Sequence, residues 1–185
     1  MNDISKDIIE AELISGISLC INDFNYDKKE VLIINANNIA LLNFISTFNI
    51  NVHYVGSLDN ISSNINTYSR AIELKTSKFD VIVDLDNKTT TQYASLLKSN
   101  GILIINLDDL NINKIKESNF NVKMPFKIEG KFYLFLSNRF HPLADFSSQK
   151  VDLISDFKYY NEGIHRAVFA LPNYQKQALR GVIRN

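Results

Sequence analysis

Three short, continuous apolar runs constrain this chain more than any other feature. They are residues 30–35 (EVLIIN), 79–85 (FDVIVDL) and 101–106 (GILIIN). Runs of that length without polar alternation are buried on both faces, as strands of a parallel sheet are. Parallel neighbours need crossover connections, and helical patterns fill the gaps. Ile9, Leu13, Ile17, Cys20 and Ile21 share one face at helical spacing, with Asp3 or Ser5 as the cap. A turn at 35–38 leads into a helix over 39–48. The same alternation continues with a strand at 52–55, a weak helix at 57–64 and a short strand at 68–74. A helix over 89–99 stops at Asn100-Gly101, and another covers 111–118. Residues 120–124 and 131–137 (KFYLFLS) lie too close together for a crossover, so they pair as a hairpin.

This order predicts an α/β fold: a Rossmann-like, methyltransferase-type, mostly parallel sheet with a C-terminal antiparallel hairpin and helices on both faces. A chain of 185 residues fills one core and not two, so residues 1–185 read as a single domain. Ligands of such sheets lie beyond the carboxyl ends of the strands, where the strand order reverses. Asn35, Ala36, Asn37 and Asn38, with residues 84–89, line that crevice.

Charge and composition narrow the function classes. Twenty basic residues balance twenty acidic ones, and no Lys/Arg run marks a patch for nucleic acid or anionic lipid. Cys20 is the single cysteine, and His53, His141 and His165 are far apart in sequence, so neither a disulfide nor a metal site is expected. No apolar stretch approaches the ~20 residues of a membrane span, and the first residues lack a signal pattern. The expected location is the cytoplasm.

The most specific segment is the tail, Lys158-Tyr159-Tyr160-Asn161-Glu162-Gly163-Ile164-His165-Arg166-Ala167-Val168-Phe169-Ala170-Leu171-Pro172. It resembles the YYN-x-x-IHRAAF-x-LP ending of spermidine synthases, the bacterial and other polyamine aminopropyltransferases. Upstream, Met124-Pro125 followed by Gly130 and KFYLFLSN is similar to that family's IPTYPSG segment and the strand after it. FDVIVDLD resembles its fourth strand, KEVLIINANN its first strand and loop, and Glu12-Leu13-Ile14 its EML helix. Divergent sequences of epsilon-type bacteria are the nearest pattern. The resemblance covers nearly the whole chain and leaves out the small N-terminal β domain that usually precedes this helix.

The resemblance implies a reaction and a site. A neutral diamine nitrogen, usually putrescine's, attacks the methylene beside the sulfonium of decarboxylated S-adenosylmethionine, and methylthioadenosine leaves. A carboxylate must take the amine's proton. The implied catalytic residues are Asp86 and Asp84, which would share one strand face if extended. The implied nucleoside contacts are Asn35, Asn37, Asn38 and Asp59. The family's glycine-rich GGGDGG loop falls on Asn35–Ala40, where Asn can hold left-handed turns but Asn38 cannot neutralise a cation. The family's ribose-binding acid falls on Gly56, three residues before Asp59, and its adenine-contacting pair falls near Ser69-Arg70. Asp59 also reads as a helix cap, and Asp84 and Asp86 as a polar strand end.

Glu129 and Tyr159 are the implied substrate contacts, with Lys127 opposing a diamine. Asp108 and Asp109 follow the fifth strand and read as helix caps or as charge at the crevice mouth. His165, with no nucleophile beside it, reads as a hydrogen-bonded structural residue. No metal and no resident cofactor are implied; the sulfonium nucleoside is a co-substrate. The partners implied are small molecules and a second copy or another chain. Two functions follow from the same residues: an aminopropyltransferase, or a non-catalytic relative serving as a structural or regulatory subunit.

Overall fold

The computed structural model describes residues 4–22, 27–74, 78–85, 93–107, 109–110, 112–154 and 156–183. A single seven-stranded sheet runs in the order β3-β2-β1-β4-β5-β7-β6. The strands are β1 (Glu30–Ile34), β2 (Asn51–Val55), β3 (Asn66–Tyr68), β4 (Phe79–Asp84), β5 (Leu97–Leu107), β6 (Val122–Ile128) and β7 (Lys131–Ser137). The pairs β1–β2, β1–β4, β2–β3 and β4–β5 are parallel, while β7 lies antiparallel between β5 and β6. This is the mostly parallel sheet with a terminal hairpin that the apolar runs predict.

Strand alternation sorts the core into two layers. Val31, Ile33, Val81, Val83 and Ile104 face one layer, under α1 (Lys6–Leu19), α2 (Ile39–Ile45) and α5 (Glu162–Val168). Leu32, Ile34, Ile82 and Leu103 face the other, with Ile115 of α3 (Ile112–Glu117) and Leu179, just after α6 (Asn173–Ala178). The helix α4 (Ser148–Leu153) lies between the hairpin and the tail in sequence. Ser5 caps α1, accepting from the Ile8 amide at 3.4 Å.

Three connections differ from the sequence reading. Residues 57–64 form bends and turns: Ser, Asn and Asp compete for the local backbone, and Asn60 takes a left-handed φ of 60° that a helix cannot continue. The third strand ends at Tyr68, and Ala71–Leu74 is a 3-10 turn closed by the Arg70 amide donating to Glu73 at 3.1 Å. Residues 97–99, expected in a helix, begin β5. Leu97 is buried in the second layer and Lys98 pairs with Asp80, so tertiary contacts override the helical pattern.

The family-like tail is fixed by two buried polar groups. The Glu12 carboxylate, in the middle of α1, accepts the amides of Lys158 at 3.0 and 3.1 Å, Tyr159 at 2.7 Å and Tyr160 at 2.9 Å. The Tyr160 ring lies against Gly16, where a Cβ would overlap it, which accounts for a glycine inside a helix. His165 donates from Nε2 to the Pro142 carbonyl at 2.8 Å and accepts the Tyr160 hydroxyl at Nδ1, 2.6 Å away. Both ring nitrogens are therefore occupied, and Phe146 stacks on the ring at 4.0 Å.

Burial draws the His165 imidazole down from 6.5 to about 4, against the opposing pull of the Pro142 carbonyl. Between those values the unfolded chain binds more protons than the folded one. Stability should be complete above pH 6.5 and fall by about 3 kcal/mol as pH drops through the window to 4. Urea unfolding across that range should show the slope in the parent chain and a flatter one in His165→Gln. Parallel slopes would remove His165 as its source.

Candidate nucleoside and amine site

The carboxyl ends of β1, β2 and β3 frame an open cleft of about 780 Å³ lined by Asn35, Tyr54, Gly56, Asp59, Tyr68 and Ser69 among others. The loop after β1 keeps a tight turn without glycine. Asn35 adopts a left-handed φ of 49°, and its amide bonds the Val55 carbonyl at 2.8 Å, tying the loop to β2. Ala36 is buried and Asn37 exposed. Asn38 caps α2, accepting from Ala40 at 2.9 Å and Leu41 at 3.3 Å.

Asn38 also reaches across to α1. Its amide nitrogen donates to the Glu10 carboxylate at 3.0 Å and to the Asp7 carbonyl at 2.8 Å. The same Glu10 carboxylate accepts the hydroxyl of Tyr133 and pairs with Lys131 at 3.4 Å, both in β7. Burial, then the bond to Glu10, raises the Tyr133 hydroxyl's pKa well above its ordinary value. The network ties the β1 loop to the hairpin across the switch between β1 and β4. Sequence reasoning did not find Glu10 or Tyr133. The available signal was an acid set among apolar residues of a helix, Ile8, Ile9 and Ala11.

The end of β2 has its own logic. Tyr54 is 1% exposed, and its hydroxyl donates to the Ala36 carbonyl at 3.3 Å. A Cβ on Gly56 would overlap that hydroxyl, so an acid at this position is excluded while Tyr54 stays in place. Asp59 lies exposed on the cleft wall and supplies its carboxylate.

The remaining expected residues are dispersed. Asp84 ends β4, is 3% exposed and faces the second layer with Ile82, opposite the Glu10 network. Asp86 and residues 87–89 lie outside the described residues, as does Asp108. Asp109 is exposed. The MPFKI segment continues β6 to Ile128, so a two-residue turn stands where a loop was expected. That turn is Glu129 (φ 46°) and Gly130 (φ 90°), with Glu129 bridging to Lys6 at 3.6 Å. Lys127 points its ammonium over the Phe132 ring at 5.2 Å. Tyr159 is half-buried against the first layer and held through its amide by Glu12. Among the described residues no group of three His, Cys, Asp or Glu side chains could hold a metal, and no helix is long and apolar enough to cross a membrane.

The chain as a whole is similar to known proteins. A polyamine aminopropyltransferase of Helicobacter acinonychis is 29% identical over 198 aligned residues, spanning 97% of this chain and 73% of that protein. Over nearly its whole length this chain is similar to polyamine aminopropyltransferases. No family model matches it. The crystal structure of spermidine synthase from Thermotoga maritima superposes with a TM-score of 0.74 at 21% identity, covering 94% of this chain and 74% of that one. A spermidine synthase in complex with the transition-state analogue AdoDATO gives 0.71 at 20% identity, covering 94% and 75%. Both likenesses show that the methyltransferase-like sheet is shared.

Restoring an acid to the β1 loop should fail unless Glu10 is neutralised. Asn38→Asp sets two carboxylates together and removes the donor to Glu10. It should cost about 1–3 kcal/mol in urea unfolding, and Glu10→Gln should recover most of that loss. Strictly additive effects of the two substitutions would contradict the Asn38–Glu10 contact.

Proposed function

We propose that this spermidine synthase relative is an aminopropyltransferase, moving the aminopropyl group of decarboxylated S-adenosylmethionine to a diamine such as putrescine. The observation that carries the reading is the open cleft at the ends of β1, β2 and β3, kept on a chain whose relatives are polyamine aminopropyltransferases. Its size is that of a small-molecule site. In this reading Asn35 and Asp59 on the cleft wall, with Asn37 of the same loop, hold the nucleoside, and Asn38, expected as a contact, instead holds the loop between α1 and α2. Asp86 takes the proton of the attacking nitrogen, and Asp84, at the end of β4, is the second carboxylate of this reading. The nitrogen forms a bond to the methylene, the carbon–sulfur bond breaks, and its electron pair leaves on methylthioadenosine. Glu129 and Tyr159 are the proposed diamine contacts, and Glu10 adds negative charge behind Asn38.

A second reading, a non-catalytic subunit bound to a second copy or another chain, is favoured by one pair of observations. Tyr54 excludes the ribose-binding acid from Gly56, and Lys131 already pairs with Glu10.

Methylthioadenosine separates the two. As a ligand of the folded chain alone it should raise Tm, contributing about 2.7 kcal/mol at a hundredfold excess over its Kd. No shift at millimolar ligand would sink the first reading. Asp86→Asn should abolish aminopropyl transfer, followed by mass spectrometry of the product amine, while leaving the melting curve unchanged. Retained turnover would remove Asp86 from the proton-accepting role.

A further inference from the structure

At the opposite end of the sheet from the cleft, a cavity of about 650 Å³ opens at the amino ends of β1, β4 and β5 and the segment leaving β7. Its walls carry Lys29, Lys78, Lys98 and Arg139 around one acid, Asp80. That is an excess of three positive charges on a chain whose formal net charge is zero. A balanced chain that gathers its cations in one concavity focuses a local field there.

Each cation is held in place locally. The Asp80 carboxylate pairs with Lys98 at 2.7 Å and Lys29 at 3.3 Å, and accepts the Glu30 amide at 3.0 Å. Burial opposes its ionisation, but the bonds from Lys98 and the Glu30 amide, with the charges of Lys98 and Lys29, hold its carboxyl below the usual range. Lys78 is tied to the Ser95 carbonyl, and the Arg139 guanidinium lies 5.4 Å from the Phe140 ring centre.

The backbone shapes the same place. Phe79 pairs with Leu97 but Val81 pairs with Ile102, so β5 carries extra residues that bow out of the sheet. Lys98, Ser99 and Asn100 on this bulge form part of the cavity wall. Gly101 closes it, where a Cβ would come within 2.6 Å of the Leu97 side chain and 3.0 Å of the Asp80 carbonyl. Bulges of this kind re-aim side chains beside binding sites.

We propose that this cavity binds a small polyanion carrying two or more phosphate groups, at a site separate from the nucleoside cleft. Asp80 positions two of the lysines, and the excess cationic charge recognises the ligand. The test is calorimetric titration of the full chain with inorganic pyrophosphate at low ionic strength. The expected result is saturable one-site binding that weakens with added salt and is at least about tenfold weaker in the Lys78→Gln/Arg139→Gln double variant. Arg139→Lys, which keeps the charge, should bind nearly as the parent does. Asp59→Asn, at the other end of the sheet, should bind as the parent does. A parallel titration with ADP tells a nucleotide from an inorganic ligand by its affinity relative to pyrophosphate, and either order sustains the proposal. No heat at millimolar pyrophosphate, unchanged affinity in the double variant, or loss of binding in Asp59→Asn overturns it.

Discussion

A carboxylate buried in the middle of an apolar helix is costly unless its oxygens are fully engaged. Glu12 meets that condition by gathering three consecutive backbone amides of the tail, Lys158, Tyr159 and Tyr160. Charged hydrogen bonds of this kind contribute about 1.5–3 kcal/mol each. The consequence reaches further than the helix. With the tail docked, Tyr160 covers Gly16 and bonds His165, and His165 reaches Pro142 beyond the hairpin. The first helix, the hairpin and the tail thus become one layer over the sheet. The same helix then presents Glu10, one turn from its N-terminus, to the β1 loop.

The cleft's loop and strand ends are held by partners inside the fold. An asparagine at position 35 holds the left-handed turn that a glycine would hold freely, and Asn38 uses its amide to bond the acid on α1 while capping α2. At the end of β2, Tyr54 and Gly56 are a coupled pair: the ring is accommodated only because the glycine has no side chain. The cleft they frame stays open.

The sheet was legible because β1, β4 and β5 are buried on both faces and write that burial into continuous Val, Leu and Ile. The hairpin was legible from its short spacing. The connections were not, because residues 57–64 and 68–74 carry no strong period and follow local polar bonds such as Arg70 to Glu73. Residues 97–99 read as helix for a different cause: a pairing between Lys98 and Asp80, remote in sequence, pulls them into the sheet. On the cleft wall, Asn35 and Asp59 follow from their place after strands. Glu10 with Tyr133, and Tyr54 with Gly56, depend on contacts that no sequence window contains.

The two ends of the sheet carry opposite chemistry: an uncrowded polar cleft where parallel strands end, and a basic cavity where they begin. The account rests on the first of these holding a nucleoside. Amide NMR of the labelled chain, titrated with methylthioadenosine, tests it most directly. Saturable shifts confined to the residues around Asn35, Gly56, Asp59 and Tyr68, with the amides near Lys98 and Arg139 unmoved, are the predicted result. Spectra that do not change, or shifts centred on the basic end, would contradict it.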